Sequence, residues 1–159
     1  MLEKVKIIEC PRDAMQSIMT FIPTKTKLNY LQSVVNVGFD IVDIGSFVSK
    51  KAIPQLSDTK EIIDLIDLSN SDSKLLTIVA NKKGAENAST FEKISFIGYP
   101  FSISESFQIR NTNKTINESL YELDNILSIS DKVNKDVVVY LSMCFGNPYG
   151  DPWNLDIIN

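Results

Sequence analysis

The chain has 159 residues, of which 43% are hydrophobic and 23% are charged, and it contains no histidine. This composition is that of an ordinary globular protein and excludes a disordered or collagen-like chain. The lack of histidine excludes Ser-His-Asp triads, Cys-His pairs and two-histidine zinc motifs within the chain. The net charge of -4 argues against nucleic acid as a partner, because phosphate binding requires a clustered basic face.

The sequence indicates neither a membrane protein nor a secreted one. No apolar run approaches the roughly 20 residues of a membrane helix, and the charged start, residues 1–6, does not fit a signal peptide. Two cysteines, Cys10 and Cys144, are too few for a disulfide framework, and we expect both to be buried, unreactive thiols. We therefore predict a cytoplasmic protein with no membrane and no nucleic-acid partner.

Short apolar runs rich in β-branched residues alternate with stretches of helical spacing. Strands are predicted at residues 5–10, 41–44, 75–79, 94–97 and 137–141. The first helix is predicted to begin with Thr24 as its cap and to end at Gly38, and the second to begin with Asp58 as its cap.

Three further helices complete the predicted pattern. One follows the third strand at residues 84–91, and a long one runs from about 116 to 133. The buried face of the long helix is predicted to carry Leu120, Leu123, Ile126 and Leu127. The last helix is predicted to begin at Pro152.

Five strands alternating with helices indicate an α/β protein with a parallel sheet. Two architectures fit, the open doubly wound sheet and the (β/α)8 barrel. A dinucleotide-binding sheet shows a glycine-rich loop after its first strand, and residues 10–14 contain no glycine. A barrel typically needs ~250 residues, so this chain would supply only the first five units. No linker interrupts residues 1–159, which we interpret as one domain.

Polar side chains gather where the predicted strands end. Strand one is followed by Arg12 and Asp13, and strand two carries Asp43. The later strands lead to Asn81, Ser102, Ser104, Glu105, Ser142 and Asn147. In a βα barrel these ends share one rim, and such enzymes place their chemistry there.

The adjacent Arg12 and Asp13 have both a chemical and a purely structural interpretation. A carboxylate is a hard oxygen ligand suited to Mg2+ or Mn2+, and a guanidinium can stabilise a developing enolate. The structural alternative is a salt-bridged pair that closes a loop. Asp43, inside an apolar run, needs a partner such as Arg12 or a metal, and its structural alternative is a carboxylate that caps a helix or braces a loop.

Residues Pro11–Gln16 (PRDAMQ) resemble the Pro-Arg-Asp-Gly-Leu-Gln signature of the hydroxymethylglutaryl-CoA lyases, which are divalent-metal enzymes built on (β/α)8 barrels. Further segments resemble the same family in the same order: residues 45–49 with 53–55, 79–84, 104–107 with Asn111 and Asn113, 115–119, and 146–149. The resemblance spans nearly the whole chain. It implies a TIM barrel of which this chain covers about the first five βα units.

The resemblance also implies an activity, the cleavage of 3-hydroxy-3-methylglutaryl-CoA to acetyl-CoA and acetoacetate with Mg2+ or Mn2+. Arg12 and Asp43 match catalytic positions, Arg12 and Gln16 are assigned to substrate binding, and Asp13 matches the metal-binding aspartate. An acyl-CoA substrate, a homo-oligomer and roles in leucine degradation and ketone-body formation follow from the same resemblance.

Several residues depart from the family pattern. Asp43 stands where the family has glutamate, which shortens the side chain by one methylene. Ala14 replaces a glycine, Lys50 a proline, and Asn147 and Met143 cysteines. The family's metal-binding histidines and asparagine and its catalytic cysteine loop belong to later strands and match nothing in these 159 residues.

Two other functions remain as alternatives. One is a related condensing enzyme that joins acetyl-CoA to a 2-oxo acid. The other is a non-catalytic remnant or binding module, because a half barrel leaves open strand edges and uncovered apolar faces that favour self-association. We expect the isolated chain to be inactive, and either oligomeric or prone to aggregate.

Overall fold

A computed structural model describes residues 5–158 of the chain. Within this range one sheet contains the strands β1 (Ile8–Glu9), β2 (Ile41–Ser46), β3 (Lys74–Ile78), β4 (Ile94–Ser102) and β5 (Asp136–Ser142). The helices are α1 (Pro11–Gln16), α2 (Thr24–Val37), α3 (Thr59–Leu65), α4 (Lys82–Ser89), α5 (Glu105–Thr112), α6 (Ile116–Lys132) and α7 (Leu155–Ile158). The expectations for residues 1–4 and 159 lie outside the described residues.

The sheet is parallel throughout, and its strand order is the order of the sequence, from β1 to β5. A doubly wound sheet reverses its order at a switch point, whereas a barrel adds each strand beside the previous one. This topology therefore decides between the two architectures. The five strands form a curled half-barrel, and the predicted incomplete TIM barrel is confirmed.

The two faces of the sheet bury different apolar clusters. The inner, concave face carries Ile41, Leu76 and Ile78, with Tyr140 packed against them. The outer face packs against the helices through clusters that include Leu31 of α2. Because side chains alternate along a strand, the strands β2 to β5 supply residues to both faces.

Two short helices are missing from the sequence prediction. The sequence pattern predicts a loop at the segment of α1 and no element at that of α5. Neither has a clear apolar periodicity, because six and eight residues give at most about two turns. Strand β1 is also shorter than predicted, and β4 extends five residues further, to Ser102.

Neither predicted cap residue makes a side-chain cap bond, although Asp58 does occupy the predicted N-cap position of α3. Thr24 is the first residue of α2 and follows Pro23, which has no side-chain oxygen to cap the helix. Asp58 precedes α3 but makes no cap bond, because its carboxylate pairs with Lys27 instead. Gly38 does end α2 in the left-handed conformation, at φ 84°.

The predicted apolar face of α6 is only partly buried. Ile126 is fully buried and Leu123 packs partly against the core, whereas Leu120 and Leu127 are exposed. The last helix begins at Leu155 rather than at Pro152. Within residues 5–158, none of the helices has both the length and the hydropathy needed to cross a bilayer.

Candidate active site

A cavity of about 640 Å³ opens at the carboxyl ends of the strands. Its polar lining includes Arg12, Asp13, Gln16, Asn81, Asn111, Tyr140 and Ser142. Parallel strands direct their carboxyl ends to one edge, so the loops after them meet there. The cavity thus lies where the sequence placed the functional rim.

Arg12 and Asp43 form a buried ion pair at the floor of this cavity. Nε and Nη2 of Arg12 both donate to Oδ2 of Asp43, at 3.0 and 2.7 Å. The side chain of Asp43 is fully buried, whereas 11% of the Arg12 side chain is exposed. The guanidinium is therefore anchored from below and open towards the cavity.

Burial raises the pKa of Asp43 from 3.8 to about 6, although the hydrogen bonds and charge of Arg12 oppose this shift. The negative charge of Asp13 adds to the rise. Oδ1 of Asp43 is buried without a hydrogen-bond partner among the described residues. Burial thus disfavours the ionised form of the Asp43 carboxyl group, and the ion pair with Arg12 stabilises that form.

Asp13 and Gln16 complete the polar face of α1. Nη1 of Arg12 donates to Asp13 Oδ1 at 2.8 Å and to Gln16 Oε1 at 3.0 Å, while Gln16 Nε2 donates to Asp13 Oδ1 at 2.7 Å. Arg12 thereby makes four hydrogen bonds with its five N–H groups, which leaves one N–H on Nη2 for a ligand. The Asp13 side chain is 62% exposed.

The described residues fit one ligand of a divalent cation and do not complete a site for it. Asp13 faces the cavity with an exposed carboxylate. No group of three or more Asp, Glu, His or Cys side chains within residues 5–158 could hold a metal ion. Since Mg2+ prefers six oxygen ligands, a site at Asp13 needs further ligands besides this carboxylate.

Tyr140 is a site residue that the sequence reasoning missed. It lies on the inner face of β5 and lines the cavity, and its hydroxyl is buried beside Cys10 and Asp43. Burial raises the pKa of Tyr140, and the nearby Asp43 raises it further, so the phenol stays protonated. The alternation of β5, which places Tyr140 and Ser142 on one face, is the signal that could have identified it.

Asn81 and Gly84 shape the opposite wall of the cavity. Oδ1 of Asn81 accepts from the backbone N–H of Gly84 at 2.9 Å and caps α4. A Cβ atom at Gly84 would lie 3.1 Å from the carbonyl oxygen of Phe47, so the glycine allows α4 to approach the loop after β2. Asn81 therefore lines the cavity in a fixed orientation.

The chain is similar to hydroxymethylglutaryl-CoA lyases over most of its length. It is 34% identical over 152 residues to the mitochondrial enzyme of Arabidopsis thaliana and 33% identical over 151 residues to the enzyme of Bacillus subtilis. These matches cover 93% and 92% of this chain. The chain is thus homologous to part of the hydroxymethylglutaryl-CoA lyases. No family model matches the sequence.

Solved lyase structures share the fold. A Bacillus subtilis lyase superposes with a TM-score of 0.90 at 31% identity, over 98% of this chain and 52% of that one. An Acinetobacter baumannii lyase in complex with coenzyme A and 3-methylmalate gives a TM-score of 0.87 at 25% identity, over 96% of this chain and 50% of that one. The chain spans 31% and 49% of the Arabidopsis and Bacillus sequences.

The structure accommodates two of the departures from the lyase pattern, Asp43 and Ala14, without loss of the local geometry. The shorter Asp43 still reaches Arg12, at 2.7 Å. Ala14 lies within helix α1 and has no positive φ, so the position does not require the family's glycine. Met143, in contrast, takes a φ of 67° directly after β5, in the left-handed region that non-glycine residues seldom adopt.

Several predicted rim residues of this chain lie outside the cavity. Ser104 donates to Asp151, and Glu105 accepts from the backbone N–H of Ile116. Ser102 donates to the carbonyl oxygen of Ser142, and Asn147 donates to that of Asp151. These side chains hold α5 and the loop after β5 together.

The prediction that both cysteines are buried is wrong, since Cys10 and Cys144 are both partly exposed. Burial raises the pKa of the Cys10 thiol, and Asp43 raises it further while Arg12 opposes the rise. A thiol with a raised pKa forms little thiolate at neutral pH, in keeping with the predicted low reactivity of Cys10.

Proposed function

We propose that the protein carrying this sequence cleaves 3-hydroxy-3-methylglutaryl-CoA to acetyl-CoA and acetoacetate. The main support is the anchored Arg12 at the floor of a cavity on the strand-end rim, in a chain that matches hydroxymethylglutaryl-CoA lyases. The chain covers only part of those relatives, and the activity is proposed for the whole protein.

Arg12 acts on the thioester in this proposal. As the hydroxyl of the substrate loses its proton and the carbon–carbon bond breaks, acetoacetate leaves and negative charge moves onto the thioester oxygen. The remaining Nη2 N–H of Arg12 donates to that oxygen and stabilises the enolate. Protonation of the enolate carbon then gives acetyl-CoA.

Asp43 holds the guanidinium in place during this charge movement. A fixed donor costs little reorganisation when charge develops, and this fixed geometry is the main source of its catalytic effect. Gln16 contacts both Arg12 and Asp13 and, at the cavity wall, is placed to contact the bound substrate.

We propose that the ligands of the protein are an acyl-CoA substrate and a divalent cation, Mg2+ or Mn2+. The Acinetobacter baumannii lyase, a structural neighbour, was solved with coenzyme A, which supports the first. Asp13 offers an exposed carboxylate oxygen to the cation, which would supply Lewis-acid polarisation of the substrate oxygens.

A cytoplasmic location, a homo-oligomer and a place in leucine degradation and ketone-body formation are part of the same proposal. Relatives include a lyase named cytoplasmic from Rattus norvegicus and one named mitochondrial from the same organism, so similarity alone does not select the compartment.

The competing enzyme is a condensing member of the same superfamily, and a direct assay separates the two. The protein expressed from its native gene is incubated with 3-hydroxy-3-methylglutaryl-CoA, or with acetyl-CoA and 2-oxo acids, in the presence of Mg2+ or Mn2+. We expect acetoacetate from the first mixture and no condensation product from the second. Condensation without cleavage would reverse this assignment.

A further inference from the structure

Helix α1, which carries Arg12, Asp13 and Gln16, is too short to hold its own position. It has six residues, and isolated helices of this length are unstable in water. Its N-terminus continues from β1 through Pro11, and Met15, one residue before its C-terminus, is buried in the core. Contacts from other elements to the segment that follows α1 also determine how the C-terminus of this helix is oriented.

Those contacts are made by the side chain of Gln55, which lies in a 3₁₀ turn at Pro54–Leu56. Nε2 of Gln55 donates to the carbonyl oxygens of Ile18 and Thr20, each at 2.9 Å, and Oε1 accepts from the N–H of Ile22 at 2.9 Å. Gln55 is only 3% exposed. One buried amide thus binds three backbone groups of the segment that directly follows α1.

Gln55 is itself fixed by Lys27 of α2. The Lys27 ammonium donates to the carbonyl oxygen of Gln55 and to Asp58 Oδ1, the latter at 2.7 Å, and it lies 4.2 Å from the centre of the Phe21 ring. The Lys27 side chain is fully buried. Such a buried charge is tolerated only when it is paired and hydrogen-bonded, so it marks a rigid point in the structure.

We propose that Gln55 is a positioning residue of the active site: through the segment after α1 it fixes the guanidinium of Arg12 over the cavity. The 3₁₀ turn follows the loop after β2, which also lines the cavity, so Gln55 joins two walls of one site. The inference rests on the proposed function for the role given to Arg12, and its test needs neither substrate nor turnover.

The test follows the side chain of Arg12 directly by NMR in the protein expressed from its native gene. The Nε–H of Arg12, which donates to Asp43, gives a ¹H–¹⁵N signal whose hydrogen exchange with water reports how often the pair opens. In Gln55→Glu the side chain keeps its length but cannot donate to Ile18 and Thr20. We expect the Arg12 Nε–H to exchange at least about tenfold faster than in the unchanged chain.

Lys93→Met is the matched control. Nζ of Lys93 also makes three hydrogen bonds to backbone carbonyls, those of Ile63, Asp64 and Ile66, at the opposite end of the sheet. This variant should lower the Tm and leave the Arg12 exchange rate within about twofold of the original.

The proposal is overturned if Gln55→Glu lowers the Tm like the control but leaves Arg12 exchange equally unchanged. Should Gln55→Glu fail to fold, Gln55→Met decides by the same readout, because it removes the three hydrogen bonds without adding a charge. Loss of lyase activity in a separate assay would bear on the proposed reaction and not on this result.

Discussion

At the scale of single residues, the site depends on a carboxyl group held in an unfavourable place. Asp43 is fully buried, and within residues 5–158 Arg12 donates both of the hydrogen bonds that its carboxylate accepts. The hydrogen bonds from the guanidinium replace part of the hydration that the Asp43 carboxylate loses on burial, yet its pKa still rises to about 6. Burial thus places an ionisation close to neutral pH at the floor of the cavity.

Asp43 should make the stability of the chain fall as pH rises. Because its pKa is higher in the folded state, the stabilisation is complete below pH 3.8, the ordinary value, and is lost as pH rises to about 6. We expect the unfolding free energy of the original chain, relative to Asp43→Asn, to fall by about 2–3 kcal/mol between pH 4 and 7. Urea unfolding at several pH values measures this difference.

Asp67→Asn is the control for that series. Hydrogen bonds from Ser69 lower the pKa of the exposed Asp67, so its contribution is present above the ordinary pKa and is lost as pH falls. The difference between the original chain and Asp67→Asn should therefore have the opposite sign of slope. The raised pKa of Asp43 would be contradicted if the unfolding free energy of the original chain, relative to Asp43→Asn, stayed constant or increased between pH 4 and 7.

At the scale of elements, the alternation of strands and helices was predictable because it is local. Apolar runs, β-branched residues and Gly38 are visible in the sequence. Helices α1 and α5 were not predictable, because they depend on distant residues: Gln55 binds the segment after α1, and Asp151 binds α5. The same reason explains Asp58, whose partner Lys27 lies 31 residues away.

The active site shows the same difference between local features, which the sequence predicts, and contacts between distant residues, which it does not. The sequence identified Arg12, Asp13 and Asp43 as candidates, since polar residues beside apolar strands are conspicuous. The contact between Arg12 and Asp43 depends on how β1 and β2 pair, which spacing along the chain does not determine. The sequence does not distinguish Tyr140 as a site residue, because an aromatic residue within an apolar strand is typical of a core.

Helix α6 has a true capping box, and Thr115 should contribute measurably to stability. Thr115 Oγ1 accepts from the N–H of Glu118 at 3.1 Å, and Glu118 Oε2 accepts from the N–H of Thr115 at 2.8 Å. We expect Thr115→Ala to lower the unfolding free energy by about 1 kcal/mol. Chemical denaturation gives this value.

Thr24→Ala provides the comparison, because Thr24 begins α2 without making a cap bond. Its unfolding free energy should stay within about 0.5 kcal/mol of the original, as for surface substitutions away from special features. Equal losses in both variants would show that the effect of Thr115 does not come from the capping box, because helix propensity alone favours alanine over threonine.

At the scale of the whole molecule, the half-barrel exposes apolar surface beside its last strand. Val139 and Leu141 on the outer face of β5 are exposed, as are Leu120 and Leu127 of the neighbouring α6. Within the described residues, β5 has a sheet partner on one side only. An apolar edge strand of this kind favours association with other chains.

The 159-residue chain by itself should therefore self-associate. We expect light scattering after size exclusion to give a mass that is a multiple of 17.8 kDa and rises with concentration. Leu141→Lys places a charge on the exposed side of β5 and should reduce the association, whereas Lys132→Ala, on the exposed end of α6, should not. A monodisperse monomer at all concentrations would contradict this expectation.

The central claim is that Arg12 at the floor of this cavity stabilises the enolate formed on cleavage. The most direct measurement compares kcat/KM for 3-hydroxy-3-methylglutaryl-CoA between the protein from its native gene and its Arg12→Ala variant. Arg110→Ala serves as control, because Arg110 stacks on Tyr149 outside the cavity lining. We expect Arg12→Ala to lose about 10²–10³-fold or more in kcat/KM and Arg110→Ala to lose little. Activity of Arg12→Ala close to that of the control would contradict the account.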